Sequence, residues 1–75
     1  MDKVTCEIVE NIGVLSTKAN GWCKEVNIVI WNHKEPKVDI REWDENHIKM
    51  SKGVTLSDDE ATVLLNVLMK WKGVI

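Results

Sequence analysis

The chain has 75 residues, a formal charge of −2 at pH 7, four tryptophans, and neither phenylalanine nor tyrosine. One domain of that length buries only about 60% of its unfolded surface, so its core is marginal unless a second subunit adds to it. No run of about 18 apolar residues is present to span a bilayer, and Met1-Asp2-Lys3-Val4 lacks the apolar core of a signal peptide, so a cytoplasmic protein with no membrane partner is expected.

Val4 to Leu15 is rich in β-branched and aliphatic residues with only rough alternation, and Gly13 interrupts it where a bend or bulge is tolerated; a first, kinked strand is expected. Asn20-Gly21 signals a hairpin turn, after which Val26, Ile28 and Ile30 alternate with Asn27, Val29 and Trp31 in a second strand, Trp22 to Asn32. His33-Lys34-Glu35-Pro36 supplies a polar turn. Val38, Ile40 and Glu42 then alternate against Asp39, Arg41 and Trp43 in a third strand. Beyond the turn Asp44-Glu45-Asn46, a fourth strand is expected with Ile48, Met50, Lys52 and Val54 on one side and His47, Lys49, Ser51 and Gly53 on the other.

Ser57 followed by Glu60 forms a capping box, Asp58 and Asp59 suit the positive end of a helix dipole, and Gly73 is a stop, which predicts one helix from Ser57 to about Lys72. Ala61, Leu64, Leu65, Leu68 and Trp71 form one stripe, with Val63, Val67 and Met69 on its flanks. One sheet face cannot cover so much apolar surface, so the helix is expected to pack on its own sheet and on a symmetry mate through Leu64, Val67, Leu68 and Trp71. Residues 1–75 therefore read as one α+β domain: a four-stranded antiparallel meander, then a C-terminal helix through which the chain dimerises.

If the aliphatic side of the sheet faces the helix, then Arg41 and Trp43 face outward by alternation, as does Trp31 on the second strand, with Lys49 available from the fourth. Tryptophan beside cations is the composition of a surface that stacks unpaired bases, worth roughly 1–3 kcal/mol each, and holds their phosphates. The acidic residues do not oppose this, because Asp58, Asp59 and Glu60 gather at the helix start while Lys18, Lys24, Lys34, Lys37, Arg41, Lys49 and Lys52 fall in the strand-rich part. The alternative use of Trp31 and Trp43 is a cross-strand aromatic pair that stiffens the sheet. Trp22 and Trp71 read as structural.

Cys6, Cys23, His33 and His47 show no zinc-ligand spacing, and the two cysteines are expected to be reduced. No phosphate loop and no nucleophile with an organised base is present, so neither cofactor, metal, small-molecule substrate nor enzymatic activity is expected.

Lys37-Val38-Asp39-Ile40-Arg41-Glu42-Trp43, then Met50-Ser51-Lys52-Gly53-Val54-Thr55-Leu56-Ser57 and the amphipathic helix, resemble the positive cofactor 4 family of transcriptional coactivators, especially its short bacterial YdbC-type members. The resemblance covers the C-terminal half through its motifs and the first hairpin only in pattern. It implies a curved four-stranded sheet closed by a helix, a homodimer, and single-stranded DNA lying across both sheets. Carried over, Arg41 would contact phosphate or base, Trp43 would be the aromatic after Arg-Glu, and Lys52 the basic residue of the Lys-Gly motif; Lys37 opens the same segment. Simple alternation sets Lys52 away from Arg41 unless a bulge at Ser51 to Gly53 resets the parity. Asp44 stands where a second aromatic or basic residue often follows, and the regulatory extension of eukaryotic members is lacking.

The expected function is weakly sequence-selective binding of single-stranded DNA, with RNA as an alternative partner, in bacterial transcription regulation or repair, in the cytoplasm or associated with the nucleoid. The competing function is a structural or protein-interaction module that receives a partner on the same face or at a sheet edge.

Overall fold

The computed structural model describes residues 4–74. Its elements are β1 (Cys6–Thr17), β2 (Cys23–Trp31), β3 (Lys37–Trp43), β4 (Val54–Leu56) and α1 (Asp58–Lys72). The strands form one antiparallel sheet in the order β1-β2-β3-β4, the meander expected from the alternation.

The register of β2 against β3 is regular, with Cys23 opposite Trp43, Glu25 opposite Arg41, Asn27 opposite Asp39 and Val29 opposite Lys37. One face of the sheet therefore carries Glu25, Asn27, Val29, Trp31, Asp39, Arg41 and Trp43, and the other carries Val26, Ile28, Ile30, Val38 and Ile40.

β1 departs from period two. Its pairs are Ile8–Val29, Glu10–Ile28, Asn11–Asn27, Gly13–Val26, Val14–Glu25 and Ser16–Lys24, so Val9, Ile12 and Leu15 have no partner. Every third residue is a bulge, and every bulged residue is aliphatic. The single kink expected at Gly13 is thus three bulges, and Gly13 itself is paired. Each bulge bends the strand and adds local twist, which curls the sheet toward the face that carries Arg41.

The curl shows in the side chains. Trp31 lies six residues along β2 from Glu25, the partner of Arg41, a separation of about 20 Å on a flat strand. The Arg41 guanidinium nevertheless lies 4.6 Å from the centre of the Trp31 ring. Val29, Asn27 and Asp39 become fully buried on this concave face, and Trp43 is 3% exposed. The expectation that Trp43 faces outward is corrected here: it lies on the side opposite the helix, as alternation gives, but curvature closes that face on itself and buries the ring.

On the convex face α1 touches β3 and β4 only. A gap of about 390 Å³ remains between helix and sheet, lined by Ile12, Leu15, Val26, Ile40, Leu65 and Leu68 among others. No residue of α1 is buried. The helix ends match the expectation. Ser57 accepts from the Glu60 amide while the Glu60 carboxylate accepts from the Ser57 amide, and Gly73 closes the last turn in the left-handed region at φ 78°, with its N–H donating to Lys70.

The fourth strand is a correction to the expected span. Residues 48–53 are not a strand; a lone bridge sets Met50 opposite Trp43, and regular pairing resumes with Val54 opposite Ile40. Four steps on this segment match three on β3, so one extra residue sits within Ser51 to Gly53. Met50 accordingly shares the face of Trp43 and Arg41, not the side of Val54.

Candidate nucleic-acid interface

Two polar networks hold the concave face together. In the first, Arg41 donates from Nε and Nη2 to the two carboxylate oxygens of Asp39, at 2.6 Å each. Thr55 Oγ1 donates to the same carboxylate at 3.1 Å. Nη1 of Arg41 donates to the Ser51 carbonyl at 3.3 Å and lies 3.7 Å from the Met50 sulfur. A fully buried carboxylate needs such a bidentate partner, because an unpaired charge there is strongly destabilising.

In the second network Glu25 accepts from Asn11, Asn27 and the His47 ring, the last at 2.9 Å, while Asn11 donates to Asn27 at 2.7 Å. His47 reaches Glu25 because of its turn. Its N–H donates to the Asp44 carbonyl, and its backbone sits in the left-handed region at φ 56°, a conformation costing a non-glycine residue about 1–2 kcal/mol. Asp44 fixes the turn by accepting from the amides of Ile48 and Lys49. These bonds, that from Lys49 first, hold the Asp44 carboxyl below its ordinary pKa of 3.8. The His47 ring then tilts over Trp43, centroids 5.7 Å apart.

The expected site residues sort as follows. Trp31, Arg41 and Trp43 share the concave face. Trp31 stays partly exposed with its ring against Arg41, whereas Trp43 lies beneath His47 and Met50. Lys37 and Lys52 are exposed, the first opposite Val29 at the start of β3, the second on the bulge. Lys49 is exposed in the turn before Met50, and the register sets Met50, not Lys49, opposite Trp43. The two rings do not form a cross-strand pair: Trp31 is opposite Cys6 and Trp43 opposite Cys23. Leu64 and Leu68 line the gap between α1 and the sheet, Leu64 half-buried, whereas Val67 and Trp71 are exposed outside it, Trp71 by 76%.

Sequence reasoning passed over Asp39, Glu25, Asn27 and His47 as participants. A signal was present, since two carboxylates, Glu25 and Asp39, and one amide, Asn27, on β2 and β3 share parity with the tryptophans and so must find partners if buried. Both tryptophans carry a further mark: the indole N–H of Trp31 and of Trp43 is buried without an acceptor. An unmet buried donor costs about 1–3 kcal/mol, which a phenylalanine would avoid, yet the chain has no phenylalanine at all.

Beside Trp43 a half-open cavity of about 410 Å³ is walled by Cys6, Ile8, His47, Ile48 and Met50. The Cys6 thiol is pushed above its ordinary pKa by burial, with the Asp39 carboxylate adding to the shift and Arg41 opposing it. Among the described residues no group of acidic, histidine and cysteine side chains is arranged to hold a metal ion, and no helix is long and apolar enough to cross a membrane.

An uncharacterized protein of Treponema pallidum (strain Nichols) is 44% identical over 62 residues, covering 83% of this chain and 73% of its own length. A family model described as Transcriptional Coactivator p15 (PC4) matches residues 18–67, a span from the first hairpin turn through β2, β3 and β4 into α1. The chain therefore belongs to the Transcriptional Coactivator p15 (PC4) family, a non-enzymatic family of nucleic-acid-binding proteins known for single-stranded DNA.

Proposed function

We propose that this chain binds single-stranded DNA, with little sequence preference, as a homodimer. The observation that carries the reading is the Trp31 ring, partly exposed on a concave face and backed by the Arg41 guanidinium at 4.6 Å. Any base has a π face to stack there, so recognition is indifferent to sequence. Lys37, Lys49 and Lys52, all exposed, supply the phosphate contacts, and Trp43 forms the floor beneath. A concave sheet suits one flexible strand, whereas the rigid width of a duplex needs a broader groove. RNA is a further substrate of the same stacking chemistry.

The dimer follows from the uncovered convex face. Four strands at about 4.8 Å spacing, with their side chains, are wider than one helix of about 10 Å diameter. The chain's single helix covers β3 and β4, so a partner's helix over β1 and β2 fills the gap at Ile12, Leu15 and Val26. The same exposed apolar surface favours the competing role of protein docking, and a second copy of the chain is the partner that its own helix fits. A cytoplasmic, nucleoid-associated role in transcription or repair accords with these properties.

The test is intrinsic tryptophan fluorescence on titration with oligothymidine and with a duplex of equal length, at low and moderate salt. Quenching by the single strand, weakened by salt and lost in Trp31→Ala, supports the reading. No quenching, together with no anisotropy change on a labelled oligothymidine at low salt, overturns it in favour of a protein-interaction module.

A further inference from the structure

We infer that Arg41 is not a phosphate ligand but a positioning residue, which sets the Trp31 ring and the Lys52 bulge for the nucleic-acid binding proposed above and rests on that reading. Its Nε and Nη2 are committed to Asp39 at 2.6 Å, its Nη1 faces the Ser51 carbonyl, and its side chain is 12% exposed. A phosphate could take the guanidinium only by stripping Asp39 of its counter-charge, and the Asp39 side chain is 0% exposed, with Thr55 its other hydrogen-bond partner. That exchange leaves a bare carboxylate in a site without water to solvate it.

What the pair does accomplish is visible on its two sides. Toward β2 the guanidinium plane backs the indole of Trp31, fixing the ring that bases would meet. Toward β4 the Nη1 bond holds the Ser51 carbonyl. Immediately after it, the backbone of Gly53 passes so close over Arg41 that a Cβ there would strike the Arg41 Cβ and the Ile40 carbonyl oxygen. Lys52 lies between these two fixed points. The Lys-Gly pair is thereby explained: glycine permits the close passage, and the passage ties the lysine-bearing bulge to the buried ion pair. Planarity matters for both contacts, because only a guanidinium grips a carboxylate with two donors and stacks on a ring.

The two roles differ in how binding responds to salt. Each phosphate contact to a single strand contributes about 0.7 to the slope of log affinity against log salt concentration. Oligothymidine affinity is therefore measured by anisotropy across a salt series for the wild-type chain, Arg41→Gln, Arg41→Lys, Lys52→Gln and Arg41→Gln combined with Lys52→Gln, at a temperature where circular dichroism shows each folded. Positioning by Arg41 gives about tenfold weaker binding, the scale of one lost stacking contact, in both Arg41 variants, and adding Arg41→Gln to Lys52→Gln leaves the Lys52→Gln slope unchanged. Lys52→Gln makes the slope shallower. Free Arg41→Gln also shows a red-shifted tryptophan emission as the Trp31 ring is released. A slope made shallower still when Arg41→Gln is added to Lys52→Gln, or wild-type affinity in Arg41→Lys, overturns the inference.

If the variants do not fold, the wild-type chain decides by NMR. An Arg41 Nε–H resonance unmoved and still protected from exchange at saturating oligothymidine supports positioning, and one that shifts or loses protection overturns it. A wild-type chain that binds no oligothymidine at low salt overturns the binding reading itself, an outcome distinct from the altered slope.

Discussion

At the scale of single residues, two side chains of the same type have opposite consequences when removed. Trp43 is closed in beneath His47 and Met50, so Trp43→Ala leaves a cavity and is expected to cost about 3–5 kcal/mol, a large part of a small domain's stability. Urea denaturation would read this as a lower midpoint, and any loss of binding in that variant follows from unfolding. Trp31→Ala, by contrast, is expected to leave the midpoint nearer the wild-type value while abolishing fluorescence quenching by the single strand. Gly53→Ala belongs with Trp43: backbone on one side and the Arg41 Cβ on the other leave no space for a methyl group, and a midpoint loss corresponding to about 1–3 kcal/mol is expected from overpacking.

At the scale of elements, both the turn at Asp44 and the start of α1 depend on ionised carboxylates. The Glu60 carboxyl is held below its ordinary pKa of 4.5, first by the Ser57 backbone N–H and then by the Ser57 side chain, with Lys37 adding a smaller pull. Asp44 is held low by its backbone donors. A group whose folded pKa is depressed contributes stability that is present above its unfolded pKa and lost as pH falls through the folded value. The melting temperature is therefore expected to fall as pH drops from about 5 toward 3. Glu60→Gln should flatten part of that fall, measured by circular dichroism melts at fixed salt.

The elements were unevenly legible in the sequence. β2 and β3 alternate with period two, and α1 carries caps at both ends, so all three follow from local rules. β1 does not, because its repeat is three: Ile8, Asn11 and Val14 face the concave side, Glu10, Gly13 and Ser16 the convex side, and Val9, Ile12 and Leu15 are left over. Read for period two, that strand shows only rough alternation. The conditional bulge at Ser51 to Gly53 was legible because the family motif and simple alternation disagreed about Lys52. The depth of Trp43 was not legible, since parity assigns a face but not whether curvature closes it. Arg41 and Asp39 are two apart on one face, a spacing visible in the sequence, but their engagement depends on Asp39 being buried.

For the molecule as a whole, the single chain is unevenly closed. Its concave face is closed by its own side chains except around the partly exposed Trp31 and the half-open cavity beside Trp43, while on the convex side Leu65, Leu68, Val67, Ile12 and Leu15 stay about half exposed or more. If the partner's helix fills that gap, the melting temperature rises with protein concentration, since dissociation and unfolding are then linked. Leu65→Glu combined with Leu68→Glu is expected to give a monomer by sedimentation velocity and a sharply lower melting temperature. An unchanged sedimentation coefficient in that variant would show that these leucines lie outside the contact between copies.

The three bulges of β1 have a consequence for how the protein behaves when crowded. β1 is twelve residues long and lies at a margin of the sheet, with its outer backbone groups unpaired by β2. A flat strand of that length and aliphatic content would template ribbons, each molecule extending the last. An incoming regular strand advances with period two, so it falls out of phase with β1 at Val9, again at Ile12 and again at Leu15. The distortion that curls the sheet around Arg41 also denies a stranger any long uninterrupted ladder. The same three residues that curve the concave face are thus expected to oppose edge-to-edge stacking.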